Sequence, residues 1–147
     1  KNFGKIKDKK YASLIEMHDF VELCPAKPHE ELIDEYRKAD VFVMLSKTES
    51  FGIVYGEAIS QALPILYTKG EGFDNQFEDG FVGYAVDLSK KDDFVQRLEC
   101  ILNDYEGFSG RAIRGADKFD WDKIARQYSD IYAEIIHANG KSYEIKA

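Results

Sequence analysis

Two short apolar runs, Val41-Phe42-Val43-Met44-Leu45 and Leu63-Pro64-Ile65-Leu66-Tyr67, bracket a glycine turn and a helix-like segment. That segment reads Glu49-Ser50-Phe51-Gly52-Ile53-Val54-Tyr55-Gly56-Glu57-Ala58. No other part of the chain constrains the fold as strongly. A continuous apolar run bounded by turn residues is the pattern of a strand covered on both faces, as in a parallel sheet. Strand, tight glycine turn, helix start and strand together make an α/β unit. Its loop lies at a carboxyl end of the sheet, where ligands bind in open α/β folds.

The residues of that loop narrow the ligand. A helix N-terminus offers free N–H groups and a positive dipole end to an anion, typically a phosphate. A tight turn at Gly52 exposes those N–H groups. Two carboxylates, Glu49 and Glu57, stand on either side with seven residues between them. Beside an anion site they are misplaced unless they bind something else. Sugar and ribose hydroxyls are the natural candidates, because an ionised carboxylate accepts hydrogen bonds from neighbouring hydroxyls. A phosphate cradle flanked by two hydroxyl acceptors reads as a nucleotide-sugar site. Plainer readings exist. Glu49 could be a surface acid favoured by the helix dipole, and Glu57 could lie on the polar face of its helix.

The stretch from Glu49 to Glu57, followed by Ala58-Ile59-Ser60-Gln61-Ala62-Leu63-Pro64, resembles the Glu-x7-Glu signature of retaining family 4 glycosyltransferases of GT-B fold. Asp40-Val41-Phe42-Val43 before it and Asp79-Gly80-Phe81-Val82-Gly83 after it fall where that family has similar segments, as does Phe119-Asp120-Trp121. The resemblance runs from about residue 20 to about residue 132 and is specific as an ordered set. Two positions depart from it: Ala62 stands where the family usually has Gly, and Gly56 where it has a larger apolar residue. The resemblance implies a Rossmann-like parallel sheet flanked by helices, the C-terminal, donor-binding lobe of such an enzyme. It implies that Glu49 contacts the transferred sugar and is the catalytic residue, and that Glu57 holds the ribose. The backbone at Ser50, Phe51, Gly52 and Ile53 would face the diphosphate. A sugar would pass from a nucleotide diphosphate donor to an acceptor hydroxyl with retention at the anomeric carbon. No divalent metal or other cofactor is implied, the helix dipole and cationic side chains taking that part. The base is expected near Pro25 to Pro28.

The rest of the chain fits an α/β domain. Helices are expected over residues 8–17, 28–39, 53–62, 92–103, 109–118 and 122–137, and strands over 20–24, 41–45, 64–67 and 81–86. The first helix would bury Tyr11, Leu14 and Ile15. In the second, Pro28 opens the helix, Glu30 and Glu31 fill its first turn, and Arg37 and Lys38 its last. The 92–103 helix would bury Phe94, Val95, Leu98, Ile101 and Leu102, with Asp92 or Ser89 near its cap. Trp121, with Tyr128 and Tyr132, is expected to anchor the terminal helix. Gly70-Glu71-Gly72 reads as a flexible loop rather than a second cradle, and Asp74 and Glu78 as solvated acids.

Composition excludes other classes. The net charge of −7 argues against a nucleic-acid groove, since phosphate backbones need clustered Lys and Arg. The basic exception, residues 1–10 with five lysines and one acid, reads as a solvated terminus. Cys24 and Cys100 read as reduced core thiols of a cytoplasmic protein. No apolar run approaches the roughly 20 residues of a membrane span, though the parent could sit peripherally on the inner membrane face. His18, His29 and His137 stand apart from one another and from the cysteines, so no metal site is expected. The 147 residues make one domain. No Gly-Arg-x-x-x-x-Lys loop precedes Phe20, so the chain reads as a fragment of a lobe without its first strand and helix. The N-terminal lobe that would hold the glycan, lipid or small-molecule acceptor is outside it, and the fragment alone should be inactive. Two rival classes remain: a non-catalytic nucleotide-sugar binding module and a receiver-type signalling domain. The second is disfavoured because Asp40 precedes its strand.

Overall fold

The computed structural model describes residues 1–4 and 9–138, apart from the side chains of Lys9 and Tyr11. The chain divides into two compact units, Lys1–Ala39 and Asp40–Ala147. In the first, β1 (Asn2–Phe3) pairs in parallel with β2 (Leu23–Cys24), Asn2 opposite Leu23 and Phe3 opposite Cys24. Helix α1 (Lys9–Glu16) connects them and α2 (His29–Tyr36) follows. Residue Asp8 and the Tyr11 side chain lie outside the described residues; Leu14 is exposed and Ile15 half-buried. Pro28 precedes α2 with Glu30 and Glu31 in its first turn, as the sequence predicts. Arg37 and Lys38 fall beyond its last residue rather than within it.

The expectation for residues 1–10 is corrected. Asn2 and Phe3 form a strand that the lysine-rich composition hides. Lys1 Nζ reaches the Glu35 carboxylate at 3.3 Å, where Lys27 at 2.9 Å and Lys38 at 3.4 Å also converge. The strand expected over residues 20–24 is shorter, because Phe20 is exposed and only Leu23 and Cys24 pair.

The second unit carries β3 (Phe42–Met44), α3 (Ile53–Ser60), β4 (Ile65–Thr68), β5 (Gly83–Val86), α4 (Asp93–Asn103), α5 (Tyr105–Gly115), a 3-10 turn (Ala116–Phe119) and α6 (Trp121–Ala138). Its sheet has the order β3-β4-β5, parallel throughout. Phe42, Val43 and Met44 lie opposite Ile65, Leu66 and Tyr67. The strand buried on both faces is β4, every residue of which is buried. The same expectation for β3 is corrected: it sits at the edge of this three-stranded sheet, and Val43 is exposed. Leu66, Val86, Ile101 and Phe108 form a core against which Val41, Leu45, Tyr84, Phe94 and Leu98 pack. Each large side chain so withdrawn from water stabilises the fold by about 1.5–3 kcal/mol.

Helix ends differ from expectation for physical reasons. Helix α3 stops at Ser60 because Ala62 turns left-handed, with φ 64°. The Ala62 N–H then bonds to Ile59 C=O at 3.0 Å and the Leu63 N–H to Ala58 C=O at 3.1 Å. That pair of bonds is a Schellman motif, and Pro64 after it prevents continuation. In α4, Val95 and Leu102 face solvent while Phe94, Leu98 and Ile101 face the core; Asp92 stands at the N-cap as expected, without a side-chain cap bond. Helix α5 begins at Tyr105 rather than near 109, and a 3-10 turn replaces its end. Trp121 does not anchor α6: it is 77% exposed, and Tyr128 and Tyr132, exposed too, pack against each other. Cys100 is exposed and Cys24 half-buried, so neither is a core thiol.

Candidate functional site

The turn between β3 and α3 lies at the carboxyl end of the parallel sheet, where the sequence places it. Gly52 is the residue before the helix and is left-handed, φ 74° and ψ 69°. A Cβ there would also overlap the Tyr55 ring, so both backbone and space require glycine. No side chain caps α3, and the amides of Ile53 and Val54 in its first turn are therefore available to an anion.

Tyr55 fixes the start of the helix. Its N–H bonds to Gly52 C=O at 2.9 Å. Its hydroxyl donates to the carbonyl of Met44, the last residue of β3, at 2.6 Å. The ring is buried, tilted against Phe73 at 4.6 Å and edge-on to Phe42 and Tyr67. Burial pushes the phenol up to about 12, with the Glu49 and Glu71 charges adding to the effect. The hydroxyl is thus a fixed donor that ties α3 to β3.

Glu49 is half-buried. Its carboxylate accepts the Ser50 N–H at 3.0 Å. Its own N–H donates to the Glu71 carboxylate at 2.8 Å, and its carbonyl accepts the Gly72 N–H at 3.0 Å. Gly70-Glu71-Gly72 is therefore no free loop, as the sequence suggests, but a brace pressed against the motif turn. A Cβ on Gly72 would overlap the Ser50 carbonyl. Asp74 is held as well, its carboxylate accepting the Gly70 N–H at 2.7 Å.

Phe51 packs edge-on against Phe119 at 5.8 Å and tilted against Phe73 at 6.3 Å, which leaves it 36% exposed at the mouth of the turn. Ile53 is exposed beside it. Glu57 follows on the same helix face four residues on, about 6 Å along the axis. It is half-buried. Gly56 lies against Phe119, where a larger side chain would meet the aromatic ring. The structure thus brings Glu49, Ser50, Phe51, Gly52, Ile53 and Glu57 to one helix start. Sequence reasoning missed Tyr55, Glu71, Phe73 and Phe119. Tyr55 lies three residues after the turn glycine, where a first-turn side chain must pack back on the strand. That spacing is the signal that could have found it. Glu71 and Phe73 reach the motif turn through contacts with Glu49 and Phe51, each 22 residues away, and local sequence does not reveal them.

An Asp-x-Asp triplet, Asp120-Trp121-Asp122, is also present. Its Asp120 carboxylate caps α6, accepting the N–H groups of Asp122 at 2.8 Å and Lys123 at 3.1 Å. Among the described residues no group of three or more His, Cys, Asp or Glu is placed to hold a metal ion, and no helix is long and apolar enough to cross a membrane.

The family model described as glycosyl transferases group 1 matches residues 4–118. The D-inositol 3-phosphate glycosyltransferase of Streptomyces bingchenggensis (strain BCW-1) is 32% identical over 130 residues, 86% of this chain and 29% of that protein. The protein of the same description from Arthrobacter sp. (strain FB24) is 37% identical over 130 residues, 86% of this chain and 30% of that protein. The chain thus spans less than a third of the length of these relatives. Among solved structures, a sucrose-phosphate synthase from Thermosynechococcus elongatus aligns with a TM-score of 0.74 at 23% identity, over 88% of this chain and 34% of that one. At that identity the likeness is one of fold.

Proposed function

Because this chain belongs to the group 1 glycosyl transferases, we propose that it is the donor-binding lobe of a retaining, metal-independent glycosyltransferase of family 4. The protein that carries it transfers a sugar from a nucleotide diphosphate donor to an acceptor hydroxyl. The observation that carries this reading is the placing of Glu49 and Glu57 on either side of an uncapped helix start, at the carboxyl end of a parallel sheet. The diphosphate lies against the first amides of α3, which stabilise the charge that develops as the nucleoside diphosphate leaves. Glu57, one turn down, takes the ribose hydroxyls. Glu49 takes the sugar. Its carboxylate accepts the Ser50 N–H. The acceptor is supplied by parts of the protein outside this chain.

The experiment is a saturation-transfer NMR screen of nucleoside diphosphates and nucleotide sugars against the full-length protein. The reading expects one nucleoside diphosphate to bind, with the Glu57→Ala variant losing its ribose contacts. Absence of transfer from every UDP, GDP and ADP compound would overturn it.

A further inference from the structure

We infer that Glu71 is a positioning residue of this site: its carboxylate sets the backbone of Glu49 and so aims the Glu49 side chain at the transferred sugar. The inference rests on the functional reading above. Glu49 is gripped at two points. Its N–H, in the peptide plane before its Cα, donates to Glu71 Oε2 at 2.8 Å. Its carbonyl, in the peptide plane after its Cα, accepts the Gly72 N–H at 3.0 Å. Holding both planes fixes the direction of the bond from Cα to Cβ, and with it where the carboxylate can reach.

The grip is itself anchored. The Glu71 N–H bonds to the carbonyl of Thr68, the buried last residue of β4, at 3.3 Å, and the Asp74 N–H bonds to Glu71 C=O at 2.8 Å. Gly72 presses backbone to backbone on Ser50, where no side chain fits. The central strand thereby holds a turn that belongs to its edge neighbour. An ionised acceptor makes this bond about twice as strong as a neutral one. Yet a second negative charge beside a diphosphate site opposes the donor. Its presence there is accounted for by a structural duty toward Glu49, not by contact with the ligand.

The test uses the full-length protein. Hydrogen–deuterium exchange of the peptide containing Glu49 and Ser50 reads the grip with no ligand present. Glu71→Ala should speed exchange there, and Glu71→Gln, which keeps an acceptor oxygen, should not. Release of nucleoside diphosphate from UDP-, GDP- and ADP-glucose reads the consequence. A misaimed Glu49 costs the transfer step more than binding, so Glu71→Ala should lower kcat about tenfold or more. The donor KM should stay within about threefold, and Glu71→Gln should stay within about threefold of the unaltered protein in kcat. In a Glu49→Ala background Glu71→Ala should add little, because both act through one side chain. A purely structural role would lower thermal stability and leave the division between kcat and KM untouched. If Glu49→Ala lowers kcat while Glu71→Ala does not, or if the two losses multiply, the inference fails and the functional reading stands. If Glu49→Ala leaves turnover intact, the functional reading fails and this inference falls with it. Unchanged exchange in Glu71→Ala overturns the inference by itself.

Discussion

Single residues in this chain carry measurable strain and measurable ties. Ala62 sits left-handed at φ 64°, a conformation that costs a residue with a Cβ about 1–2 kcal/mol. Glycine at that position would relieve the strain but free the unfolded chain by about 0.4–1 kcal/mol. Ala62→Gly should therefore stabilise the protein by about 0.5–1 kcal/mol on balance, read as a higher urea midpoint with unchanged slope; a lower midpoint would contradict the account of the helix end. Tyr55 offers the opposite case. Its hydroxyl ties α3 to Met44, and Tyr55→Phe should cost about 0.5–1.5 kcal/mol, the net worth of one lost hydrogen bond. The pH dependence has a definite sign. The phenol is raised from the ordinary 10.0 to about 12 by burial and by Glu49 and Glu71. The protonated form is thus the one the fold favours. That contribution is complete below pH 10 and is lost as pH rises from about 10 to about 12. Thermal melts across that window should show the loss in the unaltered protein and a smaller one in Tyr55→Phe.

At the level of elements, alternating strands and helices were legible because their signals are local. The apolar run at β4, the proline and acids opening α2, and the glycine before α3 each act within a few residues. What the sequence concealed depends on distant partners. Val43 looks as buried as Leu66, but β3 has no neighbour on its outer side within its three-stranded sheet. Trp121 looks like an anchor in the sequence, yet Phe119 occupies the aromatic cluster and Trp121 is exposed. The motif carboxylates could be read directly, whereas the brace from Glu71 and Gly72 could not, because glycines flanking an acid look like a flexible loop. Lys1 misled for a similar reason: its charge is answered by Glu35. Lys27 foremost, then Lys1, and to a lesser extent Lys38, hold that carboxylate down from 4.5 to about 2. Its depressed value makes the stabilisation complete above about pH 4.5 and lost as pH falls toward about 2. Glu35→Gln should flatten the acid limb of a thermal-stability profile between those values. An unchanged limb would show that the three lysines lend the first unit no stability.

For the whole molecule, the chain covers 29% and 30% of two relatives' length, and in the proposed function the acceptor is held by residues beyond it. Transfer needs the acceptor oriented and water excluded around the donor. The isolated 147 residues should accordingly show no multiple turnover with any sugar acceptor, by nucleoside diphosphate release; sustained turnover would refute the division of labour. The central claim is that Glu57 holds the ribose and Glu49 the sugar. It is tested most directly by calorimetric binding of the free nucleoside diphosphate to the full-length protein, to Glu57→Ala and to Glu49→Ala, beside steady-state kinetics. A hydrogen bond to a charged group is worth about 1.5–3 kcal/mol. Glu57→Ala should therefore weaken diphosphate binding by roughly 10- to 150-fold. Glu49→Ala should leave that binding nearly unchanged while lowering kcat more than it raises KM. The contrary result, diphosphate binding destroyed by Glu49→Ala and spared by Glu57→Ala, would mean that the roles are reversed or that the site lies elsewhere.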